Sequence, residues 1–283
     1  METMKSDHSL TAMAEAMEVS QSGFQAHVLK EEGIRHREDL QLVRVMKPIF
    51  QKSRQTYGSP RMVRALRRQG YRCGKNRLAR LMRQNGLRAC QKRRFRPRTT
   101  ESNHELPIAR NWLAKMPRAD HPNQIWVADI TYIQTGEGWL YLAGILDAFS
   151  RRCVGWQAGD CLDASLVTRA WDKAWKTRRP GPGLLHHSDR GIQYASGAFR
   201  ALLHSCGAAA SMSRKANCYD NAMMESFWAT LKTECFGASV AVTKQQAKLK
   251  LFDYIETFYN RSRLHSGIDY HSPIEFENNH LNN

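Results

Sequence analysis

The spacing of apolar residues in the first 90 positions predicts short helices. Residues 9–29 have the pattern of helix, turn and helix, with Ser20 placed to cap the second helix, and they fit a helix-turn-helix and a plain helical pair equally well. Two further helices are predicted at 61–69 and 75–84, because each has an apolar stripe at helical spacing and ends at a glycine-containing turn. Arginines fall on the side of these helices opposite the apolar stripe, so one face is expected to pack and the other to meet solvent.

The pattern after residue 120 is that of an α/β domain. Three apolar runs joined by short turns predict an antiparallel meander of three strands, at 124–133, 139–146 and 153–158. Helices and strands then alternate, as helix 164–176, strand 184–188, helix 198–204, strand 208–213 and a last long helix 243–259. The order β-β-β-α-β-α-β-α is that of a ribonuclease H-like fold, a mixed five-stranded sheet flanked by helices.

The formal net charge is +17, and nearly all of it lies in one block. Residues 51–100 hold seventeen Lys and Arg and no Asp or Glu, whereas residues 1–50 have a net charge of −2 and residues 101–283 one of +2. Such a block would bind nucleic acid by neutralising phosphates and releasing counterions, and a basic surface that serves only solubility explains the absence of acids less well. The side chains of this block that are predicted to contact double-stranded DNA are Arg61, Arg64, Arg77, Arg80, Arg83, Lys92, Arg93, Arg94 and Arg96.

The apolar pattern and the charge together divide the chain into four predicted segments. An N-terminal helical segment at 1–46 precedes a basic helical DNA-binding domain at 47–90. A basic linker at 91–120 joins this domain to the α/β core at 121–283. The fold class expected is therefore an α/β core preceded by a small all-helical region.

The seven cysteines do not have the spacing of a metal or redox motif. No pair is separated as C-x-x-C, and a scattered, odd set indicates free thiols in a reducing cytosol. No run approaches the roughly 20 apolar residues of a membrane span, and the first thirty residues lack the apolar stretch of a signal peptide. We therefore expect a cytoplasmic protein that has access to DNA and no membrane partner.

Three acidic residues suggest a metal site. Asp129 lies in the middle of an apolar strand, where an unpaired charge is costly to bury, Asp189 follows the strand 184–188, and Glu225 is near the start of a helix-like stretch. Taken singly, Asp189 fits an ordinary turn and Glu225 an exposed helix face. Together, as hard oxygen ligands, they predict a site for two Mg²⁺ ions, with Mn²⁺ as a substitute, that clamps the attacking and leaving oxygens of a phosphodiester.

Residues near these acids have several interpretations. Lys232 lies two helical turns after Glu225, so it could touch the phosphate next to the scissile bond or be an ordinary surface lysine. His186 and His187 point to opposite faces of a strand, which favours a packing role over a metal-ligand role. Asp147 is expected to cap the turn that follows it. A tyrosine or serine nucleophile is the runner-up chemistry, but no cluster of Arg and His surrounds such a residue in the core.

Four motifs of the core resemble those of insertion-sequence transposases that have a retroviral-integrase-type core. They are Trp-Val-Ala-Asp-Ile-Thr-Tyr at 126–132, Leu-Asp-Ala-Phe-Ser-Arg-Arg at 146–152, His-His-Ser-Asp-Arg-Gly at 186–191 and Asn-Cys-Tyr-Asp-Asn-Ala-Met-Met-Glu-Ser-Phe at 217–227. The chain most resembles the second-reading-frame (OrfB) product of elements with two overlapping frames, and the resemblance covers about residues 10–280. Segments 57–61 and 81–87 resemble the helical domain that precedes that core, and segments 259–261 and 272–273 resemble its end.

This resemblance implies a mechanism and partners. Asp129, Asp189 and Glu225 would be the metal-binding catalytic triad, and Lys232 the basic residue that follows it. A 3′-hydroxyl freed at one element end would attack near the other end, and a joined circular intermediate would later attack target DNA. The resemblance also implies a homo-oligomer on paired DNA ends and a first-frame (OrfA) partner that supplies a helix-turn-helix and a zipper. The chain has no heptad run, and it lacks the His-His-Cys-Cys zinc spacing of retroviral integrases.

Two other functions fit parts of the pattern. A DNA-binding regulator of the element would combine the basic block with an inactive core, and a ribonuclease H-type nuclease would cut RNA–DNA hybrids. All three acids are present, so the sequence gives no support to an inactive core. The basic helical region before the core favours a protein that binds DNA ends over a hybrid nuclease. We therefore expect a transposase that cleaves DNA strands at element ends and integrates them into target DNA.

Overall fold

The structure is a computed structural model that describes residues 10–16, 18–23, 34–90, 106–214, 221–237 and 243–281. Its α-helices are α1 Leu10–Ala16, α2 Ile34–Lys52, α3 Ser59–Arg68, α4 Lys75–Gln84, α5 Ala164–Arg178, α6 Ile192–Ala195, α7 Gly197–Ser205, α8 Ala222–Leu231, α9 Lys244–Phe252 and α10 Pro273–Leu281. Its strands are β1 Ile125–Thr135, β2 Gly138–Asp147, β3 Cys153–Gly159, β4 Leu185–Ser188 and β5 Ala209–Met212. Two π-helical segments, Lys232–Phe236 and Asp253–Tyr259, continue α8 and α9.

The five strands form one mixed sheet in the order β3-β2-β1-β4-β5, which confirms the predicted fold. β1 pairs antiparallel with β2, and β2 with β3, whereas β4 runs parallel to both β1 and β5. The predicted helix 243–259 is α9 followed by a π-helical segment, and it begins at a capping box in which Thr243 and Gln246 bond reciprocally. The helices α2, α6 and α10 were not predicted individually, although Pro273 is at the position where a proline often begins a helix.

Alternate residues of β1 point to opposite faces of the sheet, and each face is covered by different helices. Trp126 and Ala128 pack with Trp171 of α5 on one face. Ile125 and Val127 belong to the apolar cluster on the other face, which also contains residues of α8. Because side chains alternate along a strand, the next odd-numbered residue of β1, Asp129, is on the α8 face.

The helical region shares a core with the α/β domain. Apolar residues of α2, α3 and α4, such as Met46, Leu66 and Leu78, belong to the same buried cluster as Ile125. The hydroxyl of Tyr57 also joins the two parts, since it donates to the carbonyl of residue 262 at 3.1 Å and accepts from the backbone N–H of residue 264 at 2.9 Å. Helix α2 runs across the boundary predicted between residues 46 and 47, with Pro48 inside it.

Some predicted features lie outside the described residues. They include most of the second N-terminal helix and the linker residues Lys92, Arg93, Arg94 and Arg96. The last part of the predicted linker is described, and it packs along the sheet, because the backbone N–H groups of Trp112 and Leu113 donate to Ser211 Oγ of β5 at 3.0 and 3.4 Å. None of the described helices has the length and apolar content needed to cross a membrane.

Candidate active site

Parallel pairing of β1 and β4 brings Asp129 and Asp189 to the same level of the sheet. Val127 is the register partner of His187, and each aspartate lies two residues beyond its member of this pair. A step of two residues along a strand returns to the same face, so Asp129 is on the α8 side of the sheet, and Asp189, the first residue after β4, lies close enough for its charge to act on Asp129. The sequence prediction that these two acids converge is therefore consistent with the register of the sheet.

Glu225 is brought to this side of the sheet by α8. It lies in the first turn of α8 and is exposed. The next turn carries Trp228, whose indole N–H donates to Asp129 Oδ2 at 3.0 Å and so ties the helix to the strand. Within the part of the chain that the structure describes, however, no three His, Cys, Asp or Glu side chains are close enough to hold a metal ion. The three acids therefore share one region without forming a closed three-ligand site.

The surroundings of Asp129 disfavour its ionised form. Burial, and secondly the charge of Asp189, raise the pKa of Asp129 to about 8, with a smaller contribution from Glu225 in the same direction. The hydrogen bond from Trp228 opposes this rise. A cation bound between the carboxylates would remove the repulsion, and carboxylate oxygens are the ligands that Mg²⁺ prefers. The donor set and its charge thus fit a hard divalent ion.

Lys232 lies near the same acids. It is partly buried at the end of α8, and burial lowers its pKa while the nearby Asp129 carboxylate raises it. Lys232 therefore lies on the side of α8 that faces Asp129, and its contact with a phosphate stays a prediction.

Gly144 supports the site in a way that the sequence analysis missed. It is the register partner of Asp129 in β2, and Trp228 lies directly over it. A Cβ at this position would be 2.6 Å from Trp228 Cη2, so only glycine lets the indole lie this close to the sheet. The only sequence signal was a glycine inside a strand pattern, which often marks a close approach of this kind.

The other residues singled out near the site have structural partners. His186 packs against Trp171 at a ring distance of 5.4 Å, and burial lowers its pKa to about 3. His187 Nδ1 is 2.9 Å from the hydroxyl of Ser211. Asp147 caps the following turn, as predicted, because its Oδ1 accepts the backbone N–H groups of residues 149 and 150 at 3.0 Å.

The arginines predicted to bind DNA have different surroundings. Arg77 and Arg80 both pair with Asp39 of α2, at 2.6 and 2.7 Å, and Arg77 also pairs with Glu38 at 2.9 Å. These pairs were missed because the acids lie in a neighbouring helix, beyond the reach of local spacing. Arg83 is exposed on α4.

The two other candidates of this block among the described residues are both on α3, and both also have neighbours within the chain. Arg64 is exposed and stacks on the Tyr270 ring at 4.9 Å. Arg61 is only partly exposed and lies 3.8 Å from Glu234.

Comparisons with known proteins give matches along most of the chain. Models described as integrase core domains match residues 119–218 and 225–281, and a model described as an HTH-like domain matches residues 36–95. An uncharacterized 31 kDa protein of insertion element IS600 from Shigella sonnei is 43% identical over 264 residues, 93% of this chain and 97% of that protein. The transposase InsF of insertion sequence IS3A from Escherichia coli (strain K12) is 38% identical over 283 residues, 99% of this chain and 98% of that protein.

Among solved structures, this chain is similar to a chain in the simian T-cell lymphotropic virus intasome in complex with PP2A regulatory subunit B56 gamma. The identity is 16% and the TM-score 0.49, and the match covers 76% of this chain and 70% of that chain.

Proposed function

Because the chain belongs to the family of insertion-sequence transposases with an integrase core, we propose that it cleaves and joins DNA strands at the ends of an insertion element. The observation that carries the proposal is the parallel pairing of β1 with β4, in which Asp129 and Asp189 each lie two residues beyond the register pair of Val127 and His187, near the helix that bears Glu225. An inactive regulator would not need this arrangement, and it would leave Asp129 with a repulsion that the hydrogen bonds it accepts offset only in part.

Asp129, Asp189 and Glu225 would hold two Mg²⁺ ions, with Mn²⁺ as a substitute. The bound ions would activate the attacking water or 3′-hydroxyl and stabilise the departing oxygen. Trp228 orients the Asp129 carboxylate by donating its indole N–H to Oδ2, and the backbone N–H of Ile130 also bonds to this carboxylate. Glu225 is exposed in the first turn of α8, so a change of its side-chain rotamer would bring it toward the two aspartates.

Basic side chains would hold the DNA against this site. Lys232, beside Asp129, would contact the phosphate next to the scissile bond. Among the described arginines of the basic block, Arg64 and Arg83 are exposed and suited to contact the backbone. Arg77 and Arg80 are already paired with acids of α2, so we rank them behind the other two. A homo-oligomer on paired ends, and a first-frame (OrfA) partner, are further parts of this proposal.

A strand-transfer assay with linear element ends and Mg²⁺ tests the proposal. Asp189→Asn should abolish cleavage and joining while DNA affinity stays within about twofold, because the change removes ligand charge but keeps the shape of the side chain. Asp120→Asn is the matched control, since Asp120 is an exposed aspartate outside the candidate site, and it should join DNA as the wild type does. Unchanged joining by Asp189→Asn would discard the metal mechanism.

The same assay separates the alternatives. Wild type that binds ends but never joins them, with and without the OrfA protein, would favour a regulator. Cutting of RNA–DNA hybrids in preference to DNA ends would favour a ribonuclease H-type nuclease.

A further inference from the structure

A cavity of about 400 Å³ lies between the helical region, α8 and the segment that follows the second π-helical segment. Arg61 of α3 lines it from one side, Arg151 of the β2–β3 turn from another, and Arg263 from a third. Ser226, the residue after Glu225, also lines it, so the cavity adjoins the helix that carries part of the candidate active site.

The charges around the cavity do not balance. Arg263 is neutralised by Glu234 through two hydrogen bonds of 2.6 Å, and the side chains of both residues are almost fully buried. Arg61 reaches Glu234 only at 3.8 Å. His265 adds no charge, because burial and the neighbouring Arg263 hold its pKa well below the usual range. One carboxylate therefore faces three guanidinium groups.

Arg61 and Arg151 are the two arginines of the cavity that Glu234 does not neutralise, and Arg151 has fewer polar partners than Arg61. No carboxylate or hydrogen-bond acceptor of the described residues pairs with its guanidinium, although the side chain is only partly exposed. Its backbone has a φ of +64°, a left-handed conformation that is uncommon for a residue other than glycine. The backbone is held there by the Tyr259 hydroxyl, which donates to the Arg151 carbonyl at 3.1 Å. A partly buried cation without a partner destabilises a fold, so an anionic ligand is the natural complement.

We propose that this cavity binds one phosphate group of a DNA strand, held jointly by Arg61 from the helical region and Arg151 from the core. Guanidinium groups match a phosphate because their N–H donors form a planar fork. The cavity has room for one phosphate and its sugar, and its lining includes Ser226 next to Glu225, so a strand held here would pass near that glutamate. This inference rests on the proposed function, since it supplies that function with a fixed point for the DNA.

The test compares Arg61→Gln and Arg151→Gln with wild type, as full-length chains in EDTA. The matched control is Arg68→Gln, also on α3, because Arg68 pairs with Glu275 outside the cavity. The dissociation constant for a 5′-phosphorylated element-end duplex is measured over a range of salt concentrations. Each cavity variant should lower affinity about tenfold and reduce the salt slope by about one, whereas the control should stay within about twofold.

Thermal unfolding separates a binding role from a structural one. Each cavity variant should unfold at the wild-type temperature or above, because it removes a charge that has little compensation. Inorganic phosphate should raise the unfolding temperature of wild type but not that of a variant carrying both changes. Wild-type affinity and salt slope in the cavity variants would overturn the inference, and so would an affinity loss matched by an equal loss of folded protein.

The outcomes for the cavity and for the proposed function are distinct. Joining that persists with Mg²⁺ while the cavity variants bind DNA as wild type does would overturn the cavity inference alone. Loss of affinity in the cavity variants, with no joining by wild type under any metal condition, would support the cavity and overturn the proposed function.

Discussion

Gly144→Ala should disturb the candidate site without touching any of its acids. The added methyl group would be 2.6 Å from Trp228 Cη2 and 3.1 Å from Cζ2. Carbon atoms pack best at about 3.5–4.0 Å, so the indole would have to move by roughly 1 Å. Trp228 is 6% exposed and its ring contacts Phe227 at 4.7 Å, which leaves it little room to do so.

The magnitude follows from two effects of that displacement. Overpacking of this kind lowers the free energy of unfolding by about 1–3 kcal/mol. Moving the indole also weakens its hydrogen bond to Asp129, and a bond to a charged group contributes about 1.5–3 kcal/mol. If about half of that bond energy is lost to metal binding, the Mg²⁺ concentration for half-maximal effect should rise roughly four- to twelvefold.

Two readouts are needed, urea unfolding in EDTA and a Mg²⁺ titration followed by thermal shift and by strand transfer. Gly155→Ala is the control, because its methyl group would be 2.5 Å from the Ala170 carbonyl oxygen and 2.7 Å from Ala174 Cβ, on the α5 face. Gly155→Ala should lower the free energy of unfolding more than Gly144→Ala does. The Gly155→Ala protein that remains folded should nevertheless respond to Mg²⁺ at the same concentration as the wild type. Equal Mg²⁺ dependence in both variants would refute the role assigned to Gly144 and Trp228.

Three other predictions concern charge. The pKa of Asp129 is raised to about 8, so between pH ~4 and pH ~8 the folded chain keeps a proton that the unfolded chain loses, and the metal-free fold becomes less stable as the pH rises. Asp129→Asn should therefore raise the free energy of unfolding in EDTA by roughly 1–3 kcal/mol at pH 8 and by almost nothing at pH 3. The value at pH 8 is smaller than the full pKa shift implies, because the side chain is partly exposed. Glu234→Gln should lower that free energy by about 3–5 kcal/mol in urea unfolding, because it leaves Arg263 buried without its partner. Arg83→Gln should reduce the salt slope of DNA binding by about one, whereas Arg77→Gln, whose guanidinium is held by acids of α2, should leave the slope unchanged.

The sequence predicted the sheet well because each strand is a short apolar run bounded by turn residues. That pattern placed β1 to β5 within a few residues and led to the correct fold class, a mixed five-stranded sheet flanked by helices. It also indicated which acids would converge, since Asp129 stands inside an apolar strand and Asp189 at the end of another. The cap formed by Asp147 was predictable because all its partners but one are within three residues.

Interactions between distant segments were not predictable from local patterns. The contact of Trp228 with Gly144 joins α8 to β2, and the pairs of Arg77 and Arg80 join α4 to α2. The helical region was predicted as a separate domain because its charge differs so sharply from that of the core. Its apolar faces nevertheless share one cluster with the core, so deleting residues 51–100 would unfold the protein, and single substitutions are the better test of DNA contacts.

The central claim is that three carboxylates hold two metal ions at one DNA phosphate. The most direct measurement is a crystal structure of the chain with an element-end duplex and Mn²⁺, in which anomalous scattering locates the ions. Our account predicts two ions per site, with oxygens of Asp129, Asp189 and Glu225 within about 2.0–2.4 Å of at least one of them. Ions bound elsewhere, or Glu225 oxygens that stay remote from both ions, would contradict it.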